Sequence, residues 1–218
     1  MYMIFVNNYN NDIGLPFTLL SIGADTQKAV VEMGMSNFKE ISYLTNIARP
    51  NAAVITNIGT SHIEFLKSRE GILKAKCEIF EGLKEGGTAF LNGDDDLLQT
   101  LSGKLGFKTV FFGIDNKKCD ICAENVKLYP LKTEFEISGQ KFEINIPGRH
   151  NVYNALCAYA VGKMYGMTDD EIRKGLLDYK NDGIRQSIIE INGAKILNDC
   201  YNSSLQAAMS AIDVLKKL

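Results

Sequence analysis

The sequence has little excess charge and no long apolar run, and both absences narrow its possible functions. Its 218 residues carry a formal net charge of −2 without a block of basic residues, so it lacks the electrostatic footprint of a protein that binds nucleic acid or an anionic membrane. Its longest apolar runs, such as 52–55, are far shorter than a membrane span, and no basic region followed by an apolar stretch opens the chain. These features predict a globular, cytoplasmic protein whose partners are small molecules or proteins.

Two familiar chemical signatures are also missing. The five cysteines are odd in number and scattered, which favours reduced intracellular thiols over a disulfide framework. Cys119 and Cys122 form a lone C-x-x-C without a second pair or a nearby histidine, so a zinc site is not favoured. Neither a G-x-x-x-x-G-K-[ST] phosphate loop nor a Rossmann glycine fingerprint occurs, and the sequence therefore contains no recognisable triphosphate cradle.

The apolar patterning predicts an α/β fold with a mostly parallel, doubly wound sheet. Strand-like and helical segments alternate over 29–33, 39–47, 52–58, 69–83 and 88–91. Residues 108–146 instead read as successive strands with a hairpin turn at 138–140, which predicts a small antiparallel sheet. Helices are expected over 151–165 and, behind a Thr168 N-cap, up to residue 179.

The last part of the chain reads as the start of a second domain. Asn181, Asp182 and Gly183 resemble a linker, and beyond them a hairpin with an Asn192-Gly193 turn precedes a helix over 204–218. About 35 residues are too few to bury a core of their own. We therefore predict domains at 1–180 and 181–218, a hinge at 181–183, and a final segment that leans on the core or on another chain.

Two potential metal ligands follow apolar strands. Glu32 ends the run 29–31, and His62 closes the polar string that follows 52–55. Carboxyl ends of strands face the ligand crevice of a doubly wound sheet, and a carboxylate with phosphate oxygens suits Mg²⁺. The alternative for each residue is structural, with a solvated or paired glutamate and a histidine without a ligand.

Lys76, Asn151 and Asn154 each allow more than one interpretation. Lys76 lies beside the apolar stripe of its helix, where it can extend to solvent, pair with an anion, or lose its proton and form a carbamate that binds metal. Asn151 and Asn154 are one helical turn apart, so their amides can face an adenine edge, while Asn151 can equally be a helix cap.

Taken together, these strings resemble the Mur ligase family. The similar stretches keep their order and spacing over nearly the whole chain; they are NYNNDIGLP (8–16), EMGM (32–35), TNIGTSHIE (56–64), KAK (74–76), GRHNVYNA (148–155) and DCYN (199–202). The resemblance implies the central domain of such a ligase, a phosphate-loop-type core that here lacks its loop. It also implies a magnesium- and ATP-dependent amide ligase of peptidoglycan precursor synthesis, which adds D-alanyl-D-alanine to UDP-N-acetylmuramoyl-tripeptide through an acyl phosphate.

The resemblance also assigns roles to individual residues. It implies Glu32 as a ligand of the magnesium on the ATP phosphates, and His62 with carbamylated Lys76 as ligands of a second magnesium. Asn151 and Asn154 would face the nucleotide, and Asn10 and Asn11 would border the UDP-muramoyl substrate. Arg185 and Asp199 would close onto the phosphates and ribose, Arg185 also acting in catalysis.

Departures from the family pattern keep other functions open. Val6 and Asn7 replace the usual Thr and Gly, and Ser203-Ser204-Leu205 replaces Ala-Asn-Pro. The family's phosphate loop, N-terminal domain and complete C-terminal domain are expected as missing segments of the same enzyme, so the chain alone is expected to be inactive. The alternatives are a core like that of folylpolyglutamate or cyanophycin synthetase, which the asparagine-rich substrate string disfavours, and a non-catalytic binding remnant.

Overall fold

The computed structural model of the chain describes residues 2–4, 9–180, 185, 187–199 and 204–217. The chain divides into two compact units, the first made of Met1–Ala89 with Thr100–Thr109 and the second of Phe90–Gln99 with Val110–Leu218. Across the described residues, no helix is long and apolar enough to cross a membrane. The hinge expected at 181–183 lies outside the described residues, and the boundary expected at 180 remains a prediction.

The first part of the chain alternates short strands and helices. In chain order, these are β1 (Tyr2–Ile4), α1 (Gly14–Leu20), β2 (Lys28–Val30), α2 (Glu40–Ala48), β3 (Ala52–Ile55), α3 (Ile63–Leu66), α4 (Arg69–Cys77) and a 3₁₀ helix (Glu78–Gly82). β1 and β2 pair in parallel. Helices α1 and α3 had not been predicted, because four to seven residues are too few to show a helical apolar repeat.

The remaining elements are mostly strands, and they confirm the predicted α/β class. They are β4 (Thr88–Asn92), a 3₁₀ helix (Leu98–Leu101), β5 (Lys108–Gly113), β6 (Ile121–Leu128), β7 (Thr133–Ile137), β8 (Gln140–Ile144), α5 (Arg149–Met164), α6 (Asp169–Asp178), β9 (Ser187–Ile191), β10 (Ala194–Asn198) and α7 (Leu205–Leu215). Six strands form one mixed sheet in the order β3-β4-β5-β6-β7-β8, with β5 and β6 parallel and β6 to β8 antiparallel. β9 and β10 form a separate antiparallel pair.

Local turn and cap chemistry acts as the sequence predicts. Ser138-Gly139 joins β7 to β8 and Asn192-Gly193 joins β9 to β10, and all four residues have positive φ, as a two-residue type I′ hairpin turn requires. Thr168 caps α6 in a full capping box with Glu171. The alternative interpretation of Asn151 as a cap is wrong, since α5 starts at Arg149 behind Gly148.

The final segment leans on its own unit through α7. Val214 is only 3% exposed, and it packs so close to Gly148 that a Cβ there would lie 3.2 Å from its Cγ2. Other large apolar side chains of α7, such as Leu205 and Met209, remain exposed. Val214 therefore gives the described part of the final segment an apolar contact with its own unit.

A buried carboxylate organises the first unit. The residue before α2, Lys39, has a φ of 74° and contributes no side-chain cap. Glu78, which is 6% exposed, takes over this role: its two oxygens lie 2.8 and 2.9 Å from the Lys39 nitrogen, and Oε2 lies 3.2 Å from the Ser42 nitrogen. Since free N–H groups at a helix start need acceptors, Glu78 ties α2 to the turn that follows α4.

The same two elements approach closely a little further along. Thr45, fully buried in α2, donates its hydroxyl to the Ile79 carbonyl at 2.8 Å. A Cβ on Gly82 would come within 2.2 Å of the Thr45 carbonyl oxygen, so only glycine permits this packing. The region from Glu78 to Gly82 is therefore fixed against α2 at both ends.

We predict that Glu78→Ala destabilises the chain by about 2–3 kcal/mol, because it leaves the N–H groups of Lys39 and Ser42 without their buried acceptor. Urea unfolding followed by circular dichroism measures the change. Glu81→Ala is the matched control, since Glu81 is exposed and pairs with Lys39 and Ser42 at the surface. It should change the free energy of unfolding by no more than about 0.5–1 kcal/mol. Equal effects of the two substitutions would contradict the capping role.

Candidate functional site

A cleft of about 740 Å³ in the first unit brings together residues from distant parts of the sequence. Asn10, Asn11 and His62, three of the predicted site residues, line it. Its other walls include Lys39 and Glu40 at the start of α2. The cleft therefore combines amide, imidazole, ammonium and carboxylate groups, a set suited to a polar, charged ligand.

The two consecutive asparagines do different things. Asn10 is held by its backbone, since its carbonyl accepts from the Gly34 nitrogen at 2.7 Å, and its Nδ2 donates to Glu32 Oε1 at 3.1 Å. Asn11 turns its Oδ1 towards the start of α1, where it accepts from the nitrogens of Gly14 at 2.7 Å and Ile13 at 3.2 Å. Asn10 thus connects the cleft to a candidate metal ligand, while Asn11 holds a helix end.

His62 has a left-handed backbone conformation. Its φ of 63° and ψ of 18° lie in the left-handed region, directly before α3, and its side chain is exposed on the cleft. Such conformations in residues other than glycine concentrate at functional sites. The pKa of Glu40 is below its usual value, mainly because the Ser36 N–H donates to it, and the charge of His62 contributes to the lowering.

Lys76 reaches the polar string that follows β3. Its Nζ donates to the Asn57 carbonyl at 2.7 Å, and the side chain is half-buried. Asn57 lies five residues before His62 in the same string. Lys76 therefore has a defined polar partner on the carboxyl side of β3.

No ready-made metal cage accompanies these residues. Within the described ranges, no group of three or more His, Cys, Asp and Glu side chains is placed to hold a metal ion. Glu32 is exposed and bonded to Asn10, and His62 is exposed on the cleft. The clustering of Glu32, His62 and Lys76 within metal-ligand reach remains a prediction.

The second unit carries the predicted amide pair. Asn151 and Asn154 lie one turn apart at the start of α5, and Asn154 Nδ2 donates to Asn151 Oδ1 at 3.3 Å. Asn151 Nδ2 in turn donates to the Pro147 carbonyl at 2.7 Å. Asn154 is exposed, so the pair combines an amide that is anchored to the backbone with one that can be offered to a ligand.

Asp94 is a further polar centre of this unit that the sequence analysis missed. Its carboxylate accepts from the nitrogens of Ile114, Asp115 and Asn116 and from the Tyr153 hydroxyl, all within 2.9 Å. The acidic run 94–96 after the Asn92-Gly93 turn was the available signal, but it reads as a solvated turn.

The comparison with known families shows which family the chain belongs to. Residues 3–162 match the model of the Mur ligase middle domain. The chain belongs to the Mur ligase family. The matched stretch includes Glu32, His62, Lys76, Asn151 and Asn154, and it ends before Arg185 and Asp199.

Similar Mur ligases extend the likeness over nearly the whole chain. A UDP-N-acetylmuramoyl-tripeptide–D-alanyl-D-alanine ligase from Bacillus subtilis (strain 168) is 43% identical over 214 residues, which are 97% of this chain and 46% of that relative. A crystal structure of MurF from Acinetobacter baumannii covers all of the chain with a TM-score of 0.94 and 29% identity, over 48% of its own length. The structure of MurF ligase from Thermotoga maritima in complex with ADP matches 99% of this chain over 51% of its own length, with a TM-score of 0.86 and 28% identity. The chain spans about half the length of the curated relatives it matches.

A more distant neighbour bears on the first alternative function. The structure of a mutant of L. casei FPGS matches 87% of this chain over 47% of its own length, with a TM-score of 0.68 and 21% identity. Likeness at that level shows the shared fold alone. The Mur ligase interpretation therefore has support that the folylpolyglutamate synthetase alternative lacks.

Beyond the matched Mur ligase stretch, the structure places Arg185 and Asp199 beside one hairpin. The last pair of β9 and β10 is Ser187 with Asn198, so Arg185, before β9, and Asp199, after β10, belong to the same, open end of the hairpin. Arg185 is exposed and Asp199 is half-buried. Their roles towards phosphates and ribose remain predictions.

Gly34→Ala is predicted to disturb the cleft without unfolding the chain. A Cβ there would lie 2.9–3.0 Å from the side-chain amide atoms of Asn10, which must move away from Glu32. In NMR spectra, the side-chain amide signals of Asn10 should shift, while urea unfolding changes by no more than about 1 kcal/mol. Gly175→Ala is the control, because a Cβ at Gly175 meets nothing within 4 Å. Unmoved Asn10 signals would contradict this prediction.

Asp94 predicts a specific dependence of stability on pH. Partial burial alone would raise the pKa of Asp94, but the N–H groups of Asp115, Ile114 and Asn116 and the Tyr153 hydroxyl lower it below its usual 3.8. A lowered pKa means that the ionised form stabilises the fold above pH 3.8 and that this contribution is lost as the pH falls through the pKa of the folded state.

Unfolding free energies measured from about pH 5 down to about pH 2 should therefore fall less steeply for Asp94→Asn than for the unaltered chain. Asp96→Asn is the control, because Asp96 is an exposed neighbour in the same acidic run. Identical pH profiles for Asp94→Asn and the unaltered chain would show that the carboxylate is not ionised preferentially in the folded state.

Proposed function

We propose that this chain is the ATP-handling part of a cytoplasmic ligase that adds D-alanyl-D-alanine to UDP-N-acetylmuramoyl-tripeptide in peptidoglycan synthesis. The relative from Bacillus subtilis carries that activity in its name, and its likeness covers 97% of the chain. The structural observation that supports the proposal best is the bond from Lys76 Nζ to the Asn57 carbonyl, because it brings Lys76 to the polar string that ends in His62.

The proposed reaction is an acyl transfer in two steps. The terminal carboxylate of the tripeptide attacks the γ-phosphate of ATP, which gives an acyl phosphate and ADP. The amine of D-alanyl-D-alanine then attacks the acyl carbon, forms the amide bond and releases phosphate. Both steps crowd negative oxygens together, so catalysis needs positive charge and fixed donors around them.

Magnesium suits the residues of the first unit. When bound, Mg²⁺ would offset the negative charge on the phosphate and acyl phosphate oxygens. Mg²⁺ usually keeps several waters and takes one or two carboxylates plus substrate phosphates, so it does not require a cage made of protein alone. Glu32 fits this pattern because it is exposed and its bond to Asn10 engages Oε1, one of two carboxylate oxygens. The His62 imidazole on the cleft wall is a second available donor.

The contact of Lys76 is compatible with the proposed carbamate. A carbamylated lysine keeps one N–H on Nζ, and that N–H can make the same 2.7 Å bond to Asn57. The carbamate oxygens would then be available as ligands for the second magnesium.

In the second unit, we assign nucleotide contacts to Asn154 and Asn151. An amide can donate and accept at once, as an adenine edge requires, and the exposed Asn154 is oriented by Asn151. Arg185 is proposed to close on phosphate and Asp199 on ribose. Asn10 is proposed to border the UDP-muramoyl substrate, and Asn11 supports it by holding α1.

The second candidate is a binding remnant that does not catalyse ligation. The two candidates differ in whether a completed enzyme that contains this chain hydrolyses ATP in a reaction that requires Mg²⁺ and D-alanyl-D-alanine. Because the sequence lacks the loop amides and lysine that oppose charge on the γ-phosphate, we predict no ligation by the 218-residue chain alone. Amide formation by the purified chain would contradict this prediction.

The proposed function is testable in a chimera in which this chain replaces the matching 214 residues of the Bacillus subtilis relative. We expect phosphate release that depends on D-alanyl-D-alanine, and we expect Lys76→Ala to lower turnover by roughly a hundredfold or more. Lys74→Ala is the matched control on the same helix, since Lys74 is exposed and lies over the Phe38 ring. A folded chimera without ligase activity, or full activity in Lys76→Ala, would overturn the proposal.

A further inference from the structure

We propose that Asp94 is a positioning residue for the amide pair Asn151–Asn154 and that it acts through the hydroxyl of Tyr153. The proposal rests on the proposed function, in which that pair faces the nucleotide. Asp94 belongs to the acidic run after β4, and acidic residues in a turn are usually only solvated. The proposal gives one of them a role in orienting the ligand site.

The Asp94 carboxylate is held on all sides. Oδ2 accepts from the Ile114 nitrogen at 2.7 Å, the Asp115 nitrogen at 2.9 Å and the Tyr153 hydroxyl at 2.8 Å. Oδ1 accepts from the Asn116 nitrogen at 2.7 Å. Four donors around one carboxylate leave it no other rotamer in which they are all satisfied, so its position is fixed by the loop after β5.

The segment that carries Asp94 is fixed as well. The Asp94 nitrogen donates to Asn92 Oδ1 at 3.0 Å, and Asn116 Nδ2 donates to the Gly93 carbonyl at 3.0 Å. The turn after β4 and the loop after β5 therefore bind each other in both directions. Asp94 presents a rigid acceptor to α5.

Helix α5 needs such an external anchor. Gly148 precedes it with a φ of 104° and has no side chain to cap it. Two side chains of its first turns reach these two fixed segments instead: Tyr153 bonds Asp94 after β4, and Arg149 pairs with Asp115 after β5 at 2.6 Å. Because the two segments bind each other, these bonds set both the rotation and the axial position of the helix start.

The amide pair lies on this same stretch of helix. Tyr153 stands between Asn151 and Asn154 in the sequence, so a rotation of the helix start that releases the hydroxyl also moves both amides. The 3.3 Å contact between the amides is long for a hydrogen bond and is sensitive to small shifts. Asp94 thus controls the direction in which the pair points without contacting it.

A matched pair of single-atom deletions tests the proposal. Tyr153→Phe removes the bond to Asp94, and Tyr159→Phe removes the same kind of bond from the same helix, to Asp169 at 3.0 Å. Asp94→Asn is the complementary change on the acceptor side. Side-chain amide signals of Asn151 and Asn154 are followed by NMR, and ADP with Mg²⁺ is then titrated into the chimera with the Bacillus subtilis relative that carries each substitution.

We expect the Asn151 and Asn154 signals to shift in Tyr153→Phe and in Asp94→Asn and to stay in place in Tyr159→Phe. ADP affinity should fall roughly tenfold in the first two variants and remain unchanged in the third. Unmoved amide signals in folded Tyr153→Phe, or equal shifts in Tyr159→Phe, would overturn the positioning role. Shifted amides with unchanged ADP affinity in the chimera would support the positioning role and would count against the nucleotide contact of the proposed function.

Discussion

Both units of this chain depend on a carboxylate that satisfies backbone N–H groups far from it in the sequence. Helix α2 follows Lys39 and helix α5 follows Gly148, and neither residue caps the helix with its side chain. Glu78 supplies the acceptor for α2 directly, and Asp94 anchors α5 through the Tyr153 hydroxyl. An ionised acceptor is suited to this task because one carboxylate accepts several bonds, each stronger than a bond between neutral groups.

This arrangement couples each anchor to a residue of the candidate site. Glu78 stands two positions after Lys76, so the turn that fixes the start of α2 also fixes the end of the helix from which Lys76 reaches Asn57. Lys39, whose nitrogen Glu78 binds, lines the cleft that contains His62. The cleft wall and the proposed carbamate are therefore held by one group of hydrogen bonds, which suits a site that must keep charged ligands in place.

The sequence predicted what depends on local chemistry. Both type I′ turns, the Thr168 cap and the α/β alternation follow from residues within a few positions of each other. It failed where a distant partner decides the outcome. Nothing near Asp94 shows that Tyr153, 59 positions away, binds it. The start of α5 at Arg149 was missed because Gly148 has no side chain to signal a cap. The helices α1 and α3 were not predicted, because they are too short to show an apolar repeat. Their first residues also depend on the Asn11 side chain and on the left-handed backbone of His62.

The candidate site contains two asparagine pairs, Asn10 with Asn11 and Asn151 with Asn154, and the two members of each pair have different roles. In each pair, one amide is tied to the backbone: Asn11 holds the start of α1, and Asn151 bonds the Pro147 carbonyl. The other amide is directed towards a possible ligand: Asn10 donates to Glu32, and Asn154 donates to Asn151 and is exposed to solvent. An amide fits both tasks because it donates and accepts with little desolvation cost compared with a charge. The tied amide orders the backbone, and its partner is thereby aimed before any ligand arrives, which reduces the entropy that binding must overcome.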